Sequence, residues 1–386
     1  MSFDPAAYLP DDLLERIRER APIHDRENTF PEQDLTELRD AGYLSILVPA
    51  ERGGAGLGLE QAAILQQRLA GASPATALAI NMHLVWTGVA KVFSDRAVPG
   101  LEFVQDGAVA GEVFAFGISE GGNDLVLFHS TTDAAPQADG SYAFTGTKIF
   151  TSLAPVWTKL GLHGLDTTSE DAPKLVFAFI ERTDAVTTSD DWDTLGMRGT
   201  QSRTTRLDEA VAAAEHVVRR IDPGPSPDPI IFGIFSVFEL LLASVYTGIA
   251  HRAIELAVQT VQKRTSKKTG LAYAQDPDIR WRIADMSLAY DALPPQITAL
   301  ARDVDERADH GARWFTLLSG TKHRAVVMAK HVVDQAILTA GGGSYFSSNE
   351  LSRLYRDVLA GMFHPSDPES AHSTAASALL GPLDAP

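Results

Sequence analysis

The sequence has no cysteine, which removes disulfides, thiolate nucleophiles and thiolate metal sites together. It also lacks any sustained basic run: 33 Lys and Arg stand against 50 Asp and Glu, for a formal charge of −17. Phosphate backbones and anionic membrane surfaces are bound through clustered cations, so neither nucleic acid nor membrane is expected as a partner. The stretch MSFDPAAYLPDDLLERIRER has no basic region leading into an apolar core; no secretory leader is read there, and a cytoplasmic location is expected. The longest apolar run, Ile230 to Ala250, carries Glu239, Ser236, Ser244 and Thr247. A helix buried in a bundle fits it better than a bilayer span. His364 and His372, eight apart and without thiolates nearby, give no metal site.

What is present divides into three regimes. From Asp11 to about Ala110, apolar residues recur at helical spacing in DLLERIRER, QDLTELRDAGYLSI and LEQAAILQQRLAG, with Pro31 at a helix start and Gly42 at a helix end. From Glu112 to about Val218 the runs VFAFGIS, SYAFTGTKIFTS, KLVFAFIE and TTRLDEAV are short, β-branched and aromatic, predicting a compact antiparallel sheet or barrel. IDPGPSPDP (Ile221 to Pro229) excludes helix and central strand by its four prolines and reads as a linker. Beyond it three long helices are predicted: FELLLASVYTGIAHRAIELAVQTVQKR, RWRIADMSLAYDALPPQITALARDVDERA and GTKHRAVVMAKHVVDQAILTA. The resulting units are 1–111, 112–225 and 226–386.

Four segments carry a family resemblance: GISEGGND (Gly117 to Asp124), DGSYAFTGTKIFTS (Asp139 to Ser152), TLGMRGTQSRTTRLDEAV, and TAGGGSYFSSNELSRLYRD (Thr339 to Asp357). Together with the N-terminal block that runs through VPAERGGAGLG to a His, they resemble the acyl-CoA dehydrogenase superfamily in the same order along the chain. The resemblance implies an α+β protein: an N-terminal helical domain, a small central antiparallel β domain and a C-terminal four-helix bundle. It implies FAD, with FMN the lesser expectation, and a homodimer or homotetramer. Ile118, Ser119 and Asn123 fall on the family's flavin-binding loop, Phe150 on a position against the flavin ring, and Ser152 on a hydroxyl that reaches flavin N5. Arg264, from a partner subunit, and the Gly341–Gly342 loop are expected to face one flavin from different chains.

Dehydrogenation of an acyl thioester, on CoA or a carrier protein, further needs a base to take the α-proton. The family's usual Glu, nine residues past the Arg of Arg-Asp, is Pro365 here, counted from Arg356. A minority places the Glu on the first helix of the last domain; that position is Phe238, with Glu239 one residue on, about 100° around the helix. Glu239 and His364 are therefore the candidate catalytic residues, Glu369 ranking third. Two activities are expected from this: flavin-dependent α,β-dehydrogenation with an unnamed electron acceptor, or oxygenation by reduced flavin, with His364 assisting the proton movements.

Overall fold

The computed structural model describes residues 3–169, 172–381 and 383. Five helices come first: α1 (Asp11–Glu27), α2 (Glu32–Asp40), α3 (Leu59–Ala72), α4 (Pro74–Asp95) and α5 (Glu102–Val109). Their ends follow local chemistry. Pro31 caps the start of α2, Gly42 turns the chain out of it at φ 74°, and the Ser73 hydroxyl accepts from the Thr76 amide at the start of α4.

Eight strands form one sheet: β1 (Phe114–Gly117), β2 (Asp133–Pro136), β3 (Tyr142–Thr151), β4 (Lys159–Asp166), β5 (Lys174–Glu181), β6 (Val186–Thr188), β7 (Arg203–Ala212) and β8 (Val217–Ile221). The order is β6-β7-β3-β2-β4-β5-β8, with β1 also on β4. The expected antiparallel sheet is corrected to a mixed one, because β4 pairs parallel with both β1 and β2. β1 enters directly from the helical unit, and β2 follows a long loop rather than a hairpin, so neither is obliged to run against β4.

The last unit comprises α6 (Pro229–Lys263), α7 (Pro277–Asp291), α8 (Leu293–Asp305), α9 (Arg313–Ala340), α10 (Glu350–Val358) and α11 (Pro368–Leu380). The Asp228 side chain caps α6 through the Ile230 amide at 2.8 Å, closing the proline-rich linker. The single helix expected across Arg280 to Ala308 is instead α7 and α8, broken at Ala292 where Pro294 and Pro295 open the new helix. α6 is long and apolar enough to cross a membrane, yet 83% of its most apolar window is buried inside the fold.

α3 and α4 pack on α6, so the first and last helical units share one core. The helices approach closely: a Cβ on Gly248 of α6 would sit 2.3 Å from the Gln67 carbonyl oxygen of α3. The sheet docks on the same body through α4. Trp86 Nε1 donates to the Ala115 carbonyl at 2.9 Å, and its ring lies over Gly161 of β4, where a Cβ would come within 2.3 Å. His83 is wholly buried, with Nε2 against the Leu44 carbonyl and Nδ1 accepting from the Phe114 amide.

Burial lowers the His83 pKa to about 4 and that of His163 in β4 to about 3, where the nearby Lys148 ammonium lowers it further. Both imidazoles are neutral in the folded chain at pH 7, while the unfolded chain takes up their protons near 6.5. Their stabilisation is thus complete above about pH 6.5 and is lost as pH falls towards 4. His364, lowered to about 3, acts in the same sense, and Asp357, which burial raises to about 6, in the opposite one. Thermal unfolding followed by circular dichroism should show Tm falling progressively from pH 6.5 to 4.5, and His83→Gln should flatten that slope.

Candidate functional site

A buried ion pair lies behind the loop that joins β1 to β2. Glu120 Oε1 accepts from Lys148 Nζ at 2.6 Å, from the Ser130 hydroxyl at 2.6 Å and from the Thr132 hydroxyl at 2.7 Å; Oε2 accepts from the Thr131 amide. Lys148 also donates to the His163 carbonyl at 2.7 Å. Burial pushes the Glu120 carboxyl up, but the ammonium and the hydroxyls outweigh it and hold it well below the usual range. Burial lowers Lys148 to about 8, so the pair is ionised at neutral pH. Sequence reasoning assigned neither residue a role, although both lie inside the quoted motifs; a Glu and a Lys in β-rich, otherwise apolar runs were the available signal.

The knot fixes the loop's neighbours. The Ile149 amide donates to the Ser119 carbonyl at 2.9 Å, which sets Ser119 beside the end of β3. Ile118 is buried to 1% exposure, leaving its backbone rather than its side chain to meet a ligand. Phe150 has φ 57° and Leu153 φ 64°, conformations costly for residues with a Cβ and concentrated at binding sites. Phe150 keeps its ring 55% exposed, with Trp192 edge-on at 6.2 Å. Next to it Ser152 is buried and bonded to the Ser202 hydroxyl at 2.7 Å. Ser119, Phe150 and Ser152 thus lie near one another: a flat aromatic surface, a neighbouring hydroxyl and a strand end. This set fits a flavin ring, with Ser119 and Ser152 at its polar edge and Phe150 against its face.

The same corner is pinned from the C-terminal unit. Asp357 accepts from the Met197 amide at 2.6 Å, and Arg356 donates to Asp25 and to the Leu195 carbonyl at 2.9 Å. Met197 and Gln201 are themselves left-handed, at φ 54° and 45°. The backbones touch at Gly196, where a Cβ would lie 2.3 Å from the Arg356 carbonyl.

Other expected positions lie elsewhere. The Asn123 amide donates to Glu120 and to the His129 carbonyl, both at 2.9 Å, so it shapes the loop from within. Arg264 donates to the Ala340 carbonyl at 2.6 Å and stands over the Tyr273 ring. Arg264 and Gly341 therefore share one corner of one chain, which corrects the expectation that they meet a flavin from different chains. A Cβ on Gly342 would meet nothing within 4 Å, so that backbone is open. Phe238 stacks on Phe116 of β1 at 5.4 Å, whereas Arg264 is 26 residues further, about 39 Å along the helix. The Arg264–Gly341 corner is at the far end of α6 from the β domain.

The candidate bases both contact the C-terminal bundle: Glu239 bonds Ser366 and His364 packs on Tyr246. Phe238 faces the sheet, so Glu239, one residue round the helix, faces the bundle, where it is 1% exposed. Its Oε1 accepts from the Ser366 amide at 3.0 Å and hydroxyl at 2.8 Å. Burial raises its pKa, against the opposing pull of Lys322. Lys322 donates to the carbonyls of Gly361, His364 and Ser366, so the two residues clamp the 361–366 loop. His364 packs on the Tyr246 ring, and burial, with Lys322 nearby, lowers its pKa to about 3. An imidazole that weak is a poor proton acceptor at neutral pH.

Gly196→Ala should force the 194–201 loop from α10, at a cost of about 1–3 kcal/mol for an overpacked contact. The readout is Tm together with flavin affinity, and both should fall. An unchanged Tm with unchanged flavin affinity would show that the contact yields without consequence.

The acyl-CoA dehydrogenase N-terminal domain model matches residues 12–94 and its C-terminal domain model residues 240–366. Among curated relatives, the amino sugar nitrososynthase DnmZ of Streptomyces peucetius is 28% identical, over 94% of this chain and 90% of that protein. The putative acyl-CoA dehydrogenase YdbM of Bacillus subtilis is 26% identical over 95% and 94%, and a dibenzothiophene monooxygenase of Rhodococcus qingshengii 25% over 95% and 90%. Among solved structures, KijD3 in complex with FMN and a dTDP-linked amino keto sugar superposes with TM-score 0.87 at 26% identity, covering 99% of this chain and 96% of that one. Butyryl-CoA dehydrogenase of Megasphaera elsdenii shares the fold, with TM-score 0.84 at 18% identity over 98% and 100%. With both domain models matched in order and the aromatic and hydroxyl corner between them, this chain belongs to the acyl-CoA dehydrogenase family of flavin-dependent enzymes.

Proposed function

We propose that this protein is a monooxygenase that uses reduced flavin and dioxygen to oxygenate a nucleophilic heteroatom of a small substrate. The observation that carries the reading is the side-chain order on α6: Phe238 occupies the face towards β1, and Glu239 turns to the bundle, where its Oε1 is bonded to Ser366. With Pro365 in the other position used by the family, His364 held near pKa 3 and Glu239 bonded through Oε1 to Ser366, the candidate bases are poorly set to remove an α-proton from a thioester. Oxygenation of an amine or sulfide places no such demand, because the substrate's own lone pair is the nucleophile. Relatives named for amino sugars and for dibenzothiophene, compounds that carry nitrogen and sulfur, support this class over acyl thioesters.

When bound, the flavin supplies two electrons and activates oxygen: one oxygen atom enters the substrate and the other leaves as water. The chain's part is to hold the ring on Phe150 and to present Ser119 and Ser152 to its polar edge. The Arg264–Gly341 corner, far along α6, is assigned to the flavin of a second copy, so the working form is a dimer or tetramer. FAD is kept ahead of FMN, because a guanidinium beside open glycine backbone suits a second phosphate or an adenosine portion that FMN lacks.

Anaerobic mixing with a panel of acyl-CoA thioesters should leave bound oxidised flavin unbleached. Reduced flavin supplied by an NADH-dependent reductase should give oxygen uptake that rises with amine or sulfide substrates. Glu239→Gln should leave that turnover within about threefold of wild type, against the hundredfold or greater loss expected of a general base. Bleaching by a thioester, abolished in Glu239→Gln, would restore the dehydrogenase. A monomer in light scattering that still retains flavin would overturn the assignment of the Arg264 corner.

A further inference from the structure

Behind Ser152 runs a chain of hydroxyls that ends on a carbonyl. The Ser152 and Ser202 hydroxyl oxygens are 2.7 Å apart, as are those of Ser202 and Thr200. The Thr200 hydroxyl is 2.8 Å from the Met197 carbonyl oxygen, and Met197 is itself fixed through its amide by Asp357. All three hydroxyls are buried, so water does not complete their bonding. Each hydroxyl has one hydrogen, whereas a carbonyl can only accept. With Thr200 donating to Met197, Ser202 must donate to Thr200 and Ser152 to Ser202. Ser152 then turns a lone pair, not a hydrogen, towards the flavin side.

We infer that Ser152, Ser202 and Thr200 form a polarised relay that makes the site select reduced over oxidised flavin. The inference rests on the flavin reading above, with Ser152 at N5. Reduced flavin carries a hydrogen on N5 and donates, which the relay as oriented accepts. Oxidised N5 accepts, so every hydroxyl must turn round and the Met197 carbonyl loses its hydroxyl donor. That carbonyl keeps the Thr200 amide at 3.0 Å, so the reversed relay is available, but with one hydrogen bond fewer. One net hydrogen bond corresponds to roughly two- to tenfold in relative affinity. An enzyme that takes up flavin already reduced gains from that bias, because spent flavin is the weaker ligand.

The test is the ratio of the dissociation constants of oxidised and reduced flavin, measured anaerobically by titration for wild type, Thr200→Val, Ser202→Ala and Thr200→Ser. Thr200→Val removes the donor to Met197, and Ser202→Ala frees the Ser152 hydrogen; both should lower the preference for reduced flavin by roughly two- to tenfold. Thr200→Ser retains the hydroxyl and should keep the wild-type ratio. A purely structural role weakens both forms equally, so an unchanged ratio in Thr200→Val and Ser202→Ala overturns the relay while leaving the flavin site intact. A ratio that falls in Thr200→Ser as far as in Thr200→Val also overturns it. Wild-type protein that binds neither form of flavin overturns the relay and the flavin reading together.

Discussion

The candidate corner depends on the buried contact between Glu120 and Lys148. A carboxylate and an ammonium without water are each costly, and the pair is tolerable only because the remaining bonding capacity is met by Ser130, Thr131, Thr132, Asn123 and the His163 carbonyl. The two charges and their partners come from the β1–β2 loop, β3 and β4, so satisfying the charges and assembling the three segments are one event. Ser119 and Phe150 lie directly against the knot, one residue before Glu120 and two after Lys148. Left-handed backbone at Phe150, Leu153, Met197 and Gln201 would relax if its surroundings gave way. The ion pair on one side and Asp357 on the other keep it in place.

Much of the architecture is legible in the sequence where local pattern and tertiary demand agree. β5 coincides with KLVFAFIE, α2 runs between Pro31 and Gly42, and the linker ends at the Asp228 cap. The sequence fails where tertiary contact overrides pattern. β4, which pairs with three other strands, was missed because Gly161 and Gly164 interrupt its apolar run. Both glycines are there to let Trp86 and Phe144 lie against the backbone, which nothing local announces. Parallel pairing was missed for a related reason: strand direction depends on the route of the connection, not on residue composition.

At the site, the motif positions Ser119, Phe150 and Ser152 lie near one another because the Ser119 carbonyl is tied to the Ile149 amide at the end of β3. The motifs gave less for Asn123, whose amide turned inward to the Glu120 knot, and for Arg264, whose side-chain hydrogen bond is to Ala340, 76 residues away in the chain. The hydroxyl chain through Ser202 and Thr200 is invisible in sequence, since serine and threonine are ordinary in such loops and only geometry joins them.

The register of α6 bears most directly on chemistry. A helix offers no compromise between adjacent residues: about 100° separates them, so either position 238 or position 239 faces the sheet. Stacking on Phe116 settles it for Phe238, which commits Glu239 to the bundle. There a carboxylate is useful only if it is bonded, and Ser366 supplies two donors while Lys322 binds three carbonyls of the same loop. The carboxylate next to the family's base position here holds a loop. That arrangement agrees with the proposed oxygenation of a lone pair, a reaction that needs no proton taken from carbon.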